Sequence, residues 1–279
     1  MIKVILSLTL LVSSVPLYAC KLPSREKLVI GCSTHCKFMY ELRLKTNAAL
    51  LGYGLKVVDL SQALDLKHTL SKVDAILVPG GADIDPKYYV EQVTPELRKY
   101  TEENLKLVSF SDEGRERDPF EYDLLKNYSE DDSYKDLPLL GICRGMQMMG
   151  VSQGVPLYLD IKTELKIKNR RYLFDRIQDL APNSRMSSIY KKSGFKGYKF
   201  HHQGIRVPYW NEHKNDYPQV KVTAFSHEGK IAEALEYTHR KAVGVQYHPE
   251  MSFTSTTYPI FKWFLNQACE YKKSQKDLL

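Results

Sequence analysis

The residue best suited to nucleophilic chemistry is Cys143, within residues 137–150 (LPLLGICRGMQMMG). An apolar strand that runs into Gly141-x-Cys143-x-Gly145 and then a helix predicts a nucleophile elbow, a sharp turn that exposes its central side chain. The two glycines remove side chains that would clash at such a turn. The N-terminus of the following helix favours the thiolate, which is the nucleophilic form. The alternative is an inert cysteine in an ordinary strand-to-helix connection.

Residues 243–250 (VGVQYHPE) supply an imidazole and a carboxylate. A thiol nucleophile needs a histidine to exchange protons with it and a third group to orient the ring. Pro249 restricts His248 to an extended backbone, and residues two apart in an extended chain point the same way, so Glu250 can accept from the ring. Taken alone, the stretch also fits a strand-end histidine beside a surface glutamate.

Residues 73–86 (VDAILVPGGADIDP) read as a buried strand that ends in two glycines. Paired glycines let backbone N–H groups approach a substrate oxygen. The N–H groups of Gly81 and Arg144 are therefore candidates for an oxyanion hole. An ordinary Gly-Gly turn is the alternative at this position.

The elements that must position these groups are short apolar runs, which recur at residues 27–31, 55–60, 75–78, 137–142, 220–224 and 242–247. Several are apolar on both faces, which favours an α/β fold with a mostly parallel central sheet covered by helices on both faces. Residues 258–271 are amphipathic and predict a terminal helix. Residues 112–117 and 127–135 are charged or polar and predict solvated surface. The pattern predicts a single domain at 27–279 and a short tether at 20–26.

Composition excludes several classes of protein. The chain has 279 residues, 43% hydrophobic and 26% charged, which is typical of a globular protein and not of a disordered, collagenous or polytopic membrane protein. The net charge of +7 is too diffuse to indicate a nucleic-acid partner. Five cysteines are too few and too irregularly spaced for a disulfide scaffold or a paired CxxC zinc site.

Residues 1–19 are typical of a secretory signal peptide, with Lys3, an apolar stretch at 4–15 and no acidic residue. The stretch is shorter than the roughly 20 residues that span a bilayer. A cysteine directly after a small residue resembles bacterial lipoprotein signals, so Cys20 is the expected lipid-bearing N-terminus. The protein would then be exported to the bacterial cell envelope, lipid-anchored and facing the periplasm or exterior. The alternative is a buried first strand with an incidental cysteine.

The four motifs GICRGMQ, VQYHPE, VPGGADIDP and HHQG (residues 201–204) together resemble the class I glutamine amidotransferase-like superfamily, specifically its gamma-glutamyl hydrolase branch. Bacterial gamma-glutamyl-gamma-aminobutyrate hydrolases look most similar, over about residues 28–264. The resemblance implies a flavodoxin-like sandwich. It assigns Cys143 as nucleophile, His248 as acid and base, Glu250 as orienter, and the N–H groups of Gly81 and Arg144 as oxyanion donors.

The resemblance also implies the substrate-binding residues. Gln147 matches a position that helps hold the glutamyl end of the substrate, and His201 and Gln203 match a substrate-side loop. A polar loop without ligand contact is the alternative for the latter two. The expected ligand is a small gamma-glutamyl substrate, with no metal, no organic cofactor and no nucleic acid, while the oligomeric state is open.

The chain departs from the branch at Val155 and Leu159, which we expect to change the pocket wall and the choice of substrate. Residues 117–121 (RDPFE) fit a helix start with Asp118 as N-cap and Glu121 in a capping box, and we assign them no chemistry. Among the remaining cysteines, Cys32 and Cys36 flank a strand end, where unpaired thiols are the preferred interpretation and a disulfide in an oxidising compartment is the alternative. Cys269 is expected to pack in the terminal helix. The basic run at 166–171 is expected to be a solvated face.

The expected reaction is hydrolysis of a gamma-glutamyl amide through a thioester on Cys143. Two alternatives remain at this point. One is a glutaminase subunit that passes ammonia to a synthetase, and the other is a non-catalytic, surface-anchored binding protein that keeps the fold without turnover.

Overall fold

The structure, a computed structural model, describes residues 20–23, 26–34, 36, 38–167, 173–178, 180–252 and 257–277. The signal-peptide prediction at residues 1–19 and most of the basic run at 166–171 lie outside these residues. Within the described ranges, no helix is long and apolar enough to cross a membrane.

Strands and helices alternate along the first half of the chain, and strands dominate the second half. The strands are β1 (Lys27–Cys32), β2 (Gly54–Asp59), β3 (Ala75–Val78), β4 (Leu139–Ile142), β5 (Leu157–Tyr158), β6 (Leu173–Gln178), β7 (Gly194–Lys199), β8 (Gly204–Ile205), β9 (Val220–Ser226), β10 (Ile231–Tyr237) and β11 (Ala242–Val245). The α-helices are α1 (Phe38–Leu50), α2 (Leu66–Leu70), α3 (Pro95–Glu103), α4 (Asp112–Glu130), α5 (Arg144–Val151), α6 (Ile161–Leu165), α7 (Arg185–Tyr190), α8 (Val207–Glu212) and α9 (Tyr258–Lys276).

The described strands form a nine-stranded sheet in the order β2-β1-β3-β4-β11-β10-β9-β6-β7, and β5 pairs with β8 separately. The five strands from β2 to β11 are parallel to one another. The four from β10 to β7 continue the sheet with antiparallel pairing. The predicted α/β fold with a mostly parallel central sheet is confirmed, and the antiparallel extension was not foreseen.

Two apolar layers lie on opposite faces of the sheet, because successive strand residues point to opposite sides. In β3, Leu77 packs in the layer that also holds α1 and α9, whereas Ile76 packs in the layer beneath α4 and α5. Helices therefore cover both faces, as the continuous apolar strands predicted.

Helix α4 corrects the interpretation of residues 112–121. Ser111 is the N-cap and accepts a hydrogen bond from Gly114 N at 3.1 Å, so the helix begins six residues before Asp118. Asp118 and Glu121 lie inside the helix and are buried, as is Arg117. The capping-box assignment at 118–121 was therefore wrong, and residues 112–117, which were predicted only as solvated surface, form the first turns of the helix.

Two disulfides correct the predictions for the cysteines. Cys32 is bonded to Cys36, so the alternative holds and the preferred unpaired state does not. Cys20 is bonded to Cys269, with the Cα atoms 6.0 Å apart, and its carbonyl oxygen accepts from the hydroxyl of Tyr53 at 2.7 Å. This pairing contradicts the prediction of a lipid on Cys20, because one sulfur cannot hold both a disulfide and a thioether. Cys143 is left as the free thiol.

Candidate active site

Three neighbouring parallel strands bring the chemically active motifs together. Strand β4 lies between β3 and β11, and all three run in the same direction. Cys143 follows β4, Gly80 and Gly81 follow β3 closely, and His248 follows β11 closely. Because the carboxyl ends of parallel strands meet at one edge of a sheet, residues 105 positions apart in the sequence become neighbours in space.

Cys143 occupies the strained apex of a strand-to-helix turn. Its backbone φ is 53° and ψ is −106°, a conformation that residues other than glycine rarely adopt. A Cβ at Gly145 would lie 2.0 Å from Val78 O, and one at Gly141 would lie 2.6 Å from Met149 Sδ. The two glycines are thus required by close packing around the apex, which agrees with the elbow predicted from the sequence.

His248 and Glu250 form a buried hydrogen-bonded pair. Nδ1 of His248 lies 2.5 Å from Oε1 of Glu250, so the ring donates from Nδ1 and turns Nε2 away from the carboxylate. Burial by itself lowers the pKa of His248, but the negative charges of Cys143 and Glu250 outweigh it and raise that pKa well above its ordinary value. Within the described part of the chain, Nε2 has no hydrogen-bond partner. The arrangement favours a protonated His248 ring.

The loop after β3, which begins with Pro79 and Gly80, lies against His248 and Cys143. A Cβ added to Gly80 would lie 3.1 Å from Cε1 of His248 and 3.4 Å from Cβ of Cys143. The N–H of Gly80 donates to the hydroxyl of Tyr40 at 2.9 Å. This bond occupies the Gly80 N–H, and the assignment of the Gly81 N–H as an oxyanion donor stays a prediction.

Helix α4 holds the residues around the predicted oxyanion donors through buried charges. The guanidinium of Arg144 contacts the carboxylates of Asp118 and Glu121. Arg117 donates to Pro79 O and to Gly80 O, at 3.0 Å in each case, so it fixes the carbonyls just before Gly81.

Helix α1 braces the same site from the other face of the sheet. Tyr40 holds the Gly80 amide, and one turn later Nε of Arg43 donates to the backbone oxygen of Glu250 at 2.8 Å. Tyr40 is buried beside Glu250 and Cys143. Burial first, and then their charges, raise the pKa of Tyr40 well above its ordinary value, so it remains a neutral phenol. Nothing in the motifs indicated either residue, because both lie in an unremarkable helical stretch.

The predicted substrate-binding residues form one hydrogen-bonded cluster. Nε2 of Gln147 donates to Gln203 O at 3.0 Å and to Oε1 of Gln246 at 3.1 Å. Nδ1 of His201 lies 2.8 Å from Gln203 O, and Oε1 of Gln203 accepts from Ile84 N at 3.1 Å. Burial lowers the pKa of His201 to about 4, so this ring is neutral near pH 7. The structure brings Gln147, His201 and Gln203 together.

Val155 and Leu159 are both fully buried. Val155 packs in the apolar layer beneath α5, where its Cβ would lie 3.6 Å from a Cβ added to Gly150. Their effect on the choice of substrate stays a prediction. Elsewhere, no group of three or more His, Cys, Asp or Glu side chains with the geometry of a metal site occurs among the described residues.

A strained buried cysteine beside a histidine that is oriented by a glutamate is suited to attack on a carbonyl carbon. A family model described as peptidase C26 matches residues 46–250 of the chain. The chain belongs to the peptidase C26 family. This peptidase C26 protein carries Cys143 after β4, and His248 and Glu250 after the neighbouring strand β11, which fits a cysteine hydrolase of the class I glutamine amidotransferase-like superfamily.

Two relatives match most of the chain in sequence, and one solved structure shares its fold. Protein NtpR of Enterococcus hirae is 27% identical over 79% of this chain and 86% of its own length. The glutamine amidotransferase-like protein YvdE of Lactococcus lactis is 29% identical over 77% of this chain and 83% of its own. The glutaminase domain of CTPS from Trypanosoma brucei, solved with bound acivicin, superposes with a TM-score of 0.62 at 15% identity, covering 88% of this chain and 94% of that one. This last likeness concerns the fold alone.

Proposed function

We propose that this protein hydrolyses gamma-glutamyl amide bonds through a Cys143–His248–Glu250 triad and a thioester intermediate. The observation that carries the proposal is the position of His248. Its Nδ1 is held by Glu250, and Cys143 and Glu250 together keep the pKa of its ring raised. A ring held in this way can serve both as the partner of a thiolate and as the acid for a leaving amine.

In the first half of the reaction, the thiolate of Cys143 attacks the side-chain carbonyl carbon of the substrate. The oxyanion that forms accepts hydrogen bonds from the N–H groups of Gly81 and Arg144. When the tetrahedral intermediate collapses, the carbon–nitrogen bond breaks and His248 transfers its Nε2 proton to the departing amine. A thioester between the glutamyl group and Cys143 remains.

In the second half, neutral His248 takes a proton from a water molecule that attacks the thioester. The second tetrahedral intermediate collapses with loss of the Cys143 thiolate, and glutamate is released. The cluster of Gln147, His201 and Gln203 supports recognition of the glutamyl end, since its amide and imidazole groups lie together near the nucleophile.

Two features next to the site are candidates for contact with the departing amine. A cleft of about 570 Å³ opens beside Gly80 and is lined by Thr34, Pro79, Arg117 and Phe120 among others. The ring of Phe200 is 43% exposed and meets the ring of His248 edge-on, with the centroids 6.2 Å apart. A leaving group that receives its proton from His248 would pass close to Phe200.

We also propose that the protein is exported. The apolar segment at residues 4–15 supports export, and so do the two disulfides, because disulfides persist mainly in oxidising compartments. Expression in a bacterial host with the native N-terminus, followed by fractionation and N-terminal sequencing, tests this. Recovery of the uncleaved chain in the cytosolic fraction would contradict it.

The activity is tested by incubating the mature protein with a panel of gamma-glutamyl amines, gamma-glutamyl peptides and gamma-glutamyl folates, with glutamine included for comparison. Released glutamate is the readout. We expect glutamate from at least one gamma-glutamyl amide, and none above background from Cys143→Ala. Full activity of that variant would overturn the mechanism. Ammonia release from glutamine alone would instead identify a glutaminase, and no turnover together with an unreactive Cys143 would identify a binding protein.

A further inference from the structure

Besides His248, the sulfur of Cys143 has two polar neighbours, the backbone oxygen of Phe200 at 3.9 Å and the side-chain amide of Gln246. Nε2 of Gln246 lies 3.5 Å from Sγ of Cys143, and the Gln246 side chain is completely buried. Gln246 comes directly after β11 and two residues before His248, so the same strand end supplies both groups. Its side chain is the only carboxamide that contacts the sulfur among the described residues.

The orientation of the Gln246 amide follows from the hydrogen bonds around it. The backbone oxygen of Gln203 can only accept, so the group of Gln147 that faces it must be the nitrogen. The same Nε2 of Gln147 also faces the Gln246 side chain, at 3.1 Å, so the atom that meets it there must be the oxygen. Nε2 of Gln246 is consequently the atom turned toward the sulfur. A flipped amide would set two N–H donors against each other and an oxygen against a thiolate.

We propose that Gln246 is a further catalytic residue, whose N–H donates to the Cys143 sulfur and favours the thiolate in the ion pair with His248. The inference rests on the proposed role of Cys143 as the nucleophile. A hydrogen bond to a charged acceptor is stronger than one to a neutral acceptor, so this donor stabilises the thiolate more than the thiol. It acts again when the thioester is hydrolysed, because the sulfur then leaves as a thiolate.

Gln147 enters this proposal as a positioning residue. Its two donated bonds join the backbone at Gln203 to the Gln246 oxygen and thereby set which end of the Gln246 amide meets the sulfur. Loss of the Gln147 amide removes the bond that fixes this orientation without removing the donor itself.

The test measures the rate at which iodoacetamide alkylates Cys143 as a function of pH. All five cysteines lie in the described ranges and four are in disulfides, so alkylation of the oxidised protein reports on Cys143 alone. In Gln246→Leu we expect the midpoint of the pH profile to move upward by about one to two pH units, which is a tenfold to hundredfold lower thiolate fraction below the midpoint. Gln147→Leu should give a smaller shift in the same direction.

Gln153→Leu is the matched control, because this amide contacts Ser129 and Ser152 and not the nucleophile. Its alkylation midpoint should equal that of the wild type. Thermal unfolding establishes that each variant is folded. If Gln246→Leu does not fold, Gln246→Glu keeps the size of the side chain, and its carboxylate beside the sulfur should move the midpoint upward at least as far. A folded Gln246 variant with the wild-type midpoint would overturn the proposal.

Alkylation requires no substrate, so this experiment is separate from the substrate panel. A protein that cleaves no gamma-glutamyl amide could still show the Gln246 shift, and an active hydrolase could fail to show it. Turnover of Gln246→Leu on a substrate from the panel adds a second readout. We expect kcat to fall with little change in KM, because Gln246 contacts the reacting sulfur and not the glutamyl group.

Discussion

The guanidinium of Arg144, the residue after Cys143, and the carboxylate of Glu121 form a buried ion pair. The same carboxylate accepts from Nη2 of Arg117 at 2.9 Å and from the hydroxyl of Ser33 at 2.5 Å. Arg144 supplies one proposed oxyanion donor from its backbone, and Arg117 holds the carbonyls of Pro79 and Gly80 beside the other. Glu121 therefore connects the supports on both sides of the proposed oxyanion hole.

Replacing Glu121 with Gln should impair both stability and turnover. Burial alone raises the pKa of Glu121, but Arg144 and Arg117 outweigh it and lower the pKa below its ordinary value, so the native carboxylate is charged. The variant leaves two buried guanidinium groups without that charge, and we expect a loss of about 3 to 5 kcal/mol in the free energy of unfolding. Urea unfolding measures this.

The folded fraction of the Glu121→Gln protein should also have a lower kcat, by roughly 10- to 100-fold. Loss of a whole oxyanion donor typically costs about 100- to 1000-fold, and this variant only loosens the support of the proposed donors. Glu116→Gln is the matched control, since Glu116 lies on the same helix and is exposed. Equal stability of the two variants would show that the charge of Glu121 does not support the fold.

The sequence predicted the parallel half of the fold well. Strands β1, β3, β4 and β11 are short and apolar on both faces, which is the pattern of a buried parallel sheet, and the glycine spacing identified the elbow at Cys143. The sequence also predicted the bond between His248 and Glu250, although Pro249–Met251 form a 3-10 turn and not the extended chain from which that bond was inferred. These features depend on neighbouring residues, so a single sequence suffices to reveal them.

The remaining features depend on partners far away in the sequence. Strand β10 (IAEALEY) escaped prediction because it carries Glu233 and Glu236, which are charges that usually mark a surface. Both are buried. Glu233 contacts the ammonium of Lys199, and Glu236 accepts from the backbone amides at the start of α7. In the same way, the motif RDPFE suggested a helix start, because the sequence alone does not show that Arg144 pairs with Asp118.

Replacing Gly80 with Ala tests how closely the β3 loop approaches the catalytic pair. The added Cβ would lie 2.6 Å from the hydroxyl of Tyr40 and 3.1 Å from Cε1 of His248, both closer than a Cβ normally approaches. We expect kcat to fall by at least 10-fold while the protein remains folded, because the loop or the ring must shift by a few tenths of an ångström. Steady-state kinetics on a gamma-glutamyl substrate measures the effect.

Gly52→Ala is the comparison for this variant. Gly52 has a φ of +78° with nothing within 4 Å of an added Cβ, so this substitution strains the backbone away from the site. It should lower stability by about 1 kcal/mol and leave kcat unchanged. If Gly80→Ala behaves like Gly52→Ala, the contact between the loop and His248 has no part in turnover.

The Cys20–Cys269 disulfide joins the first described residue to the last helix, across a sequence separation of 249. Replacing both cysteines with serine should lower the free energy of unfolding by about 2 to 5 kcal/mol, because the crosslink restricts the unfolded chain. Activity should be retained, since neither cysteine is part of the site. Urea unfolding with and without the crosslink measures the stability. Mass spectrometry of the mature protein tests the bond itself, and a diacylglycerol thioether on Cys20 would contradict it.

The charge of Glu250 should set the alkaline limit of activity. His248 is protonated where it acts as the acid, and burial lowers its pKa while the charges of Cys143 and Glu250 raise it well above 6.5. Activity of the wild type should therefore persist well above pH 6.5 and fall only as the pH rises through the raised pKa. Glu250→Gln keeps a hydrogen-bond acceptor but removes one negative charge, so the pKa of His248 falls and the alkaline limb of kcat/KM moves to lower pH. A variant with the same alkaline limb as the wild type would show that Glu250 orients the ring without affecting its charge.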